Sequence, residues 1–236
     1  MINIILLSTY NGELYIEEQL NSIRNNKCLL PVKIYWYDDG SYDETVRLVQ
    51  DFQELDIVRI MPSEVPQDIA SNFRLLLRRA VELSGPKNLF YYCDQDDIWS
   101  IEKLQNAERY LIQDCGLLLT RTKHFGSSTE IITPKIDRYF LLDLFFNISP
   151  GMSFAFRPSK PEALISFIHF FKWHDHGTFL YFKYFERKLH VSYLVAQYYR
   201  RHSDAVTIKL KRFSISRFLY GFGNLNALIK GYKDAK

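Results

Sequence analysis

Apolar positions along the first hundred residues follow two alternating rhythms. Ile2–Leu7 is a short continuous apolar run, the pattern of a strand buried on both faces. Asn11-Gly12 interrupts it, and Glu13–Arg24 then carries Leu14, Ile16, Leu20 and Ile23 at near-helical spacing. Val32–Tyr37 reads as a second strand closed by Asp38-Asp39-Gly40-Ser41. Asp43–Leu55 reads as a second helix, with acids in its first turn where the positive dipole end favours them. Ile57–Met61 is a third strand, Ser71–Leu83 a helix with Phe73, Leu76, Leu77 and Ala80 inward, and Leu89–Cys93 a fourth strand. This alternation predicts βαβ units: an α/β fold with a mostly parallel, Rossmann-like central sheet flanked by helices.

The second half is less regular. Ile98–Leu111 looks helical, Leu117–Thr120 and Ser153–Phe156 look like strands, and Lys123–Lys135 is a polar loop or hairpin. Tyr139–Phe146 is strongly apolar. Pro161–Trp173 and Gly177–Lys188 read as helices, and His190–Tyr199 as a strand leading to Arg200-Arg201-His202. In Lys211–Lys236, Phe213, Ile215, Phe218, Leu219, Phe222, Leu225, Leu228 and Ile229 approach an amphipathic helical pattern.

At 236 residues the chain suits one domain with a short appendage. The expected division is 1–205 as the domain, with 1–115 and 116–205 as its halves, and 206–236 as a basic aromatic tail. Hydrophobic residues at 47% and charged residues at 24% fit a globular protein with a substantial core. Cys28, Cys93 and Cys115 are odd in number and lack CxxC spacing, which argues against a disulfide framework or zinc site and suits a reducing cytosol. The N-terminus reads as a first strand, not a signal peptide, and no apolar run approaches the roughly 20 residues that span a bilayer. Net charge is +3, yet seven Lys/Arg against one acid fall within 206–236, leaving the remainder slightly acidic. Such a tail suits an anionic surface. Its aromatic-apolar face points to peripheral membrane contact as readily as to a solvated helix, and a nucleic-acid partner is not expected.

The sharpest chemical signal is Asp94-Gln95-Asp96-Asp97, three carboxylates directly after an apolar strand. Such charges are costly unless solvated or neutralised. Hard divalent ions such as Mg2+ or Mn2+ neutralise them well and commonly bridge to substrate phosphates. A helix cap on Ile98–Leu111 is the plainer alternative. Asp38-Asp39 before Gly40-Ser41 is a turn by default, or a group accepting from a nucleobase or ribose. Ser8-Thr9-Tyr10-Asn11-Gly12 is an ordinary loop, or one offering Tyr10 for base stacking. All three motifs follow strands, and in parallel α/β sheets ligands bind beyond those carboxyl ends. His174-Asp175-His176 looks like a metal triplet, but adjacent helical residues do not share a face; it is either a polar helix junction or a place where Asp175 faces the crevice as a general base. His202 is a surface histidine or a phosphate or metal contact.

Taken together, Ser8–Glu13 with Glu18-Gln19-Leu20 and Ser22-Ile23, Asp38-Asp39-Gly40-Ser41, Asn72-Phe73 and Asp94–Trp99 with Glu102-Lys103 resemble family 2 glycosyltransferases of GT-A fold, in the bacterial rhamnosyltransferase-like branch. Pro150–Phe156, His174-Asp175 and Tyr199–His202 extend the resemblance to about residue 205. The resemblance implies an inverting transfer from a UDP- or dTDP-linked sugar to a saccharide, lipid-linked acceptor in surface polysaccharide synthesis. It implies donor contacts from Ser8, Tyr10, Asp38, Asp39, Asn72 and Asp94. It implies Mn2+ or Mg2+ on Asp96 and His202, with Asp175 as catalytic base. The location implied is cytoplasmic, at the inner face of the membrane. Alternative readings are a degenerate transferase acting as an assembly partner and a sugar-nucleotide nucleotidyltransferase. The chain departs from the family pattern at Thr120-Arg121-Thr122 and His176-Gly177, both on the acceptor side.

Overall fold

In the computed structural model, residues 1–62, 66, 68–126, 130–134, 136, 140–145, 151–201 and 215–234 are described. The first half runs β1 (Asn3–Thr9), α1 (Ile16–Arg24), β2 (Val32–Asp38), α2 (Thr45–Asp51), β3 (Ile57–Arg59), α3 (Ile69–Ser84) and β4 (Leu89–Asp94). Then come β5 (Ile98–Trp99), α4 (Lys103–Leu111), β6 (Gly116–Gly126), β7 (Ile131–Ile132) and α5 (Phe140–Phe145). A 3-10 turn at Gly151–Ser153 leads to β8 (Phe154–Arg157), α6 (Pro161–Ile168) and α7 (His174–Tyr181). A π-helical turn (Phe182–Glu186), β9 (Leu189–Arg201) and α8 (Ile215–Asp234) complete the order.

Among the described residues the strands form one sheet, β3-β2-β1-β4-β8-β6-β9-β5, with β7 on β6. Strands β3, β2, β1 and β4 are mutually parallel, and β6 pairs β9 in parallel; β8 runs antiparallel between the two groups. Alternate residues of the central strands feed two cores. Ile4, Leu6, Tyr35, Tyr37, Phe90 and Tyr92 face α3, α6 and α7, whereas Ile5, Leu7, Ile34, Trp36, Tyr91 and Cys93 face α1, α2 and α4. Two covered faces explain why these strands read as continuous apolar runs.

Several expected boundaries move. The helix expected over Ile98–Leu111 begins only at Lys103, because Ile98 and Trp99 pair with Tyr198 and Gln197 of β9. The helix expected over Gly177–Lys188 starts earlier, at His174, and ends in the π-helical turn with Arg187 in a left-handed conformation. Helix α6 stops at Ile168, short of the expected Trp173. Within the polar stretch Lys123–Lys135, the described residues Lys123 of β6 and Ile131 of β7 pair antiparallel. The tail helix α8 packs against α5 and α6, with Gly221, Asn224 and Ala227 buried at helical spacing. Among the described residues no helix is long and apolar enough to cross a membrane.

Candidate active site

Strand register brings the three polar motifs together. Ser8 of β1 lies opposite Asp94 of β4, and Thr9 opposite Asp38 of β2. Asp38 is consumed by its own surroundings: it accepts from Thr9 Oγ1 (2.7 Å), Ser41 Oγ (2.6 Å) and the amides of Ser41 (2.8 Å) and Gly40 (3.1 Å). Asp39 instead meets Asn72 Nδ2 at 3.2 Å, and the same nitrogen donates to Ser8 Oγ at 3.2 Å. Asn72 is buried, and its Oδ1 has no hydrogen-bond partner among the described residues. Tyr10 stands 53% exposed over this corner, with Tyr42 edge-on at 6.5 Å.

The loop after β4 is fastened from several sides. Gln95 accepts from Tyr10 N and donates to Tyr10 O, both at 2.8 Å, closing a two-point clamp on the first loop. Gly12 makes room for it, since a Cβ there would sit 2.3 Å from Gln95 Oε1. The cap alternative for the acids fails, because the residue before α4 is Glu102, which makes no capping bond, and Asp97 is buried. Asp97 Oδ1 accepts from Arg200 N (3.3 Å), and its Oδ2 has no partner among the described residues. Arg200 also donates to Asp96 O (3.0 Å), pairs with Glu18 and lies over the Tyr15 and Phe125 rings. With its Oε1 accepting from the donor-only Trp99 Nε1 (3.1 Å), Gln19 donates to Asp97 O and Ser22 Oγ. Ser22 Oγ accepts from Trp99 N. The Glu18-Gln19 and Ser22 motif of α1 is thus a dock for the acidic loop.

Asp175 enters from the first turn of α7. Its Oδ2 accepts from Gly151 N (3.2 Å) and its Oδ1 from His176 N (2.7 Å). Gly151 is required by closeness, because a Cβ there would lie 2.7 Å from Asp175 Cβ. The two flanking histidines turn inward, so the polar junction is a buried one. His174 stacks on Phe73 at 4.2 Å, and His176 is fully buried against Tyr220. Burial, aided by Arg74, pushes the His174 imidazole down to about 3.

The electrostatics bind these pieces into one site. Burial, then Asp96 and Asp175, push the Asp94 carboxyl up to about 7. Asp97 is raised by burial and by Asp94 and Asp96. Lys103 is buried beside them and burial lowers it to about 7; its Nζ donates to Met152 O and Gln197 Oε1 (2.8 Å) and lies 3.9 Å from the Trp99 ring centre. This is a carboxylate-rich corner whose own charges repel, the setting a hard divalent ion relieves. Among the described residues no three His, Cys, Asp or Glu side chains gather to hold a metal by themselves. His202 lies outside the described residues, one position beyond the end of β9.

The structure therefore brings Ser8, Tyr10, Asp38, Asp39, Asn72, Asp94, Asp96 and Asp175 to one corner beyond the ends of β1, β2 and β4. Gln95, Lys103, Arg200 and Gly151 escaped the sequence reading as site residues. Gln95 and Lys103 stood inside quoted motifs, but their roles depend on partners more than 45 positions away.

Comparison with known proteins bears on the family and the fold. The sequence model for Glycosyl transferase family 2 matches residues 4–203. The chain is 32% identical over 171 residues to the dTDP-rhamnosyl transferase RfbG of Shigella flexneri, covering 70% of this chain and 57% of that protein. The chain thus spans little more than half the length of that relative. Residues 1–349 of S. aureus TarS in complex with UDP superpose with a TM-score of 0.68 at 17% identity, over 98% of this chain and 65% of that one. The mannosyltransferase PcManGT from Pyrobaculum calidifontis, in complex with GDP-Man and Mn2+, gives 0.55 at 15% identity, over 98% and 73%. The shared architecture is the GT-A fold.

Proposed function

The chain belongs to Glycosyl transferase family 2, and from that premise we propose that it transfers a sugar, with inversion, from a nucleoside-diphosphate donor to a saccharide hydroxyl. The observation that carries this reading is the convergence at the strand ends: Asp94 of β4 sits opposite Ser8, and burial, then Asp96, then Asp175 from α7 raise its carboxyl. A donor site and a candidate base thus face a common space.

The residues divide the work by their contacts. Asp38, saturated by its own loop, shapes the pocket. Asp39, Asn72 and Ser8 keep acceptor and donor atoms for the nucleoside, and exposed Tyr10 offers a ring for stacking on the base. Mn2+ or Mg2+, held by Asp96 with Asp94 beside it and His202 as a further ligand, would supply neutralisation of the diphosphate leaving group. Asp175 takes the proton of the acceptor hydroxyl as it attacks the anomeric carbon, so one displacement inverts the centre without a covalent intermediate. The likeness to RfbG favours a dTDP-linked deoxyhexose, and TarS in complex with UDP keeps a UDP-sugar in view. The acceptor is a lipid-linked saccharide of surface polysaccharide synthesis, met at the cytoplasmic face of the membrane with the basic tail toward the lipid.

Two variants test the reading together. Asp96→Ala should cut turnover at least about 100-fold, several kcal/mol of charge stabilisation being lost, and should abolish the rescue of chelated enzyme by Mn2+. Asp175→Asn should lower kcat by about 10²–10⁴ with the donor KM within about twofold. Full turnover of Asp96→Ala in chelator, or an equal loss of donor binding in Asp175→Asn, sinks the respective assignment.

A further inference from the structure

The C-terminal helix reaches the residue next to Asp175 through hydrogen bonds that are buried or partly buried. Tyr220 of α8 places its hydroxyl 2.5 Å from His176 Nδ1. Asn224, one turn on, donates to Leu144 O of α5 (2.7 Å) and lies 3.4 Å from the same Nδ1. The other ring nitrogen, His176 Nε2, is 2.5 Å from Asp143 O. A carbonyl oxygen only accepts, so Nε2 carries the hydrogen, and Nδ1, which faces both the Tyr220 hydroxyl and the donor-only amide nitrogen of Asn224, is assigned as the acceptor. The imidazole therefore spans α5 and α8 with both nitrogens engaged. Its own backbone N–H donates to Asp175 Oδ1. Apolar packing of α8, through Ala227 and Leu228 on the core, has no need of a fully buried histidine at this spot. Satisfied buried networks instead fix one orientation of the groups they join.

We propose that Tyr220 is a positioning residue: through His176 it fixes the first turn of α7, and so the C-terminal helix sets the aim of Asp175 at the acceptor. The inference rests on the reading of Asp175 as the base, but its mechanical half can be tested without that reading. In the full chain, Tyr220→Phe keeps the ring and removes the hydroxyl. Turnover should fall about tenfold or more, since a misplaced catalytic group costs up to about 100-fold, with donor KM unchanged. In an Asp175→Asn background the same change should cost nothing further. His176→Asn, whose side-chain oxygen can still accept from Tyr220, should retain more turnover than His176→Leu. Amide hydrogen exchange in the peptide covering 173–178 should quicken in Tyr220→Phe without substrate, while β1 and β4 stay protected. Multiplicative losses in the Asp175→Asn background, equal turnover of the two His176 variants, or unchanged exchange would overturn the proposal. If Asp175→Asn keeps full turnover while exchange quickens, the base assignment falls and the mechanical link stands.

Discussion

Single residues at this site are constrained by what stands opposite them more than by their own chemistry. Gly12 is glycine because Gln95 occupies the space of a side chain there, and Gln95 fits its place because its amide offers a separate donor and acceptor to the backbone of Tyr10. His174 shows the cost of such a fit. It is buried, its Nδ1 has no partner among the described residues, and burial depresses it to about 3. Below the ordinary histidine range the unfolded chain takes up a proton that the folded chain refuses. Stability is therefore lost as pH falls from about 6.5 toward 3. Between about pH 7 and pH 5 the linkage amounts to about 2 kcal/mol. Asp94, raised by burial and by Asp96 and Asp175, works in the opposite sense over the same window, because there the folded state holds the extra proton. Comparing chemical denaturation of the native chain and His174→Phe at both pH values cancels the Asp94 contribution. The native chain should lose more stability on acidification than the variant, and equal losses would show that His174 is not held neutral.

At the scale of elements, the acidic loop is positioned by helix α1 as much as by strand β4. Gln19 gives the Trp99 indole its acceptor and donates to Asp97 O, so Gln19→Leu strands a buried donor and a buried carbonyl. Chemical denaturation should show a loss of about 1–3 kcal/mol, whereas a loss below about 0.5 kcal/mol would mean that water or a neighbour replaces the amide. This dock also marks where reading the chain stops. Strands β1, β2 and β4 were legible because both their faces are covered, so apolar runs ending in polar motifs could mean little else. Their parallel register carried the three motifs to one corner, where the proposed donor contacts gather. Strand β5 was not legible: Ile98 and Trp99 pair with residues about a hundred positions away, and locally they extend the rhythm of α4. The same limit hid Arg200, which closes the acidic loop from the end of β9, and the early start of α7, where inward His174 and His176 imitate a polar junction.

At the scale of the whole molecule, the question is how a chain with one basic end meets its acceptor. The tail's excess of cations suits an anionic surface. The described part of α8, however, spends its inward face on the protein: Gly221, Asn224 and Ala227 are buried, and Leu228 packs on the core cluster that also holds Phe179 and Leu180. Ile229 and Lys230 remain outward. An amphipathic helix that inserts needs its apolar face free, and here insertion would require α8 to leave α5 and α6, breaking the Asn224–Leu144 and Tyr220–His176 bonds. Membrane association should therefore be electrostatic. Cosedimentation with vesicles containing about a third phosphatidylglycerol should be strong at low ionic strength. It should disappear near 1 M salt, where screening shortens the Debye length to about 3 Å. Neutral phosphatidylcholine vesicles should not bind at either salt. Binding that survives high salt, accompanied by faster amide exchange in α8, would show that the helix does detach and insert, and would make the acceptor-side link to Asp175 one that the membrane itself can release.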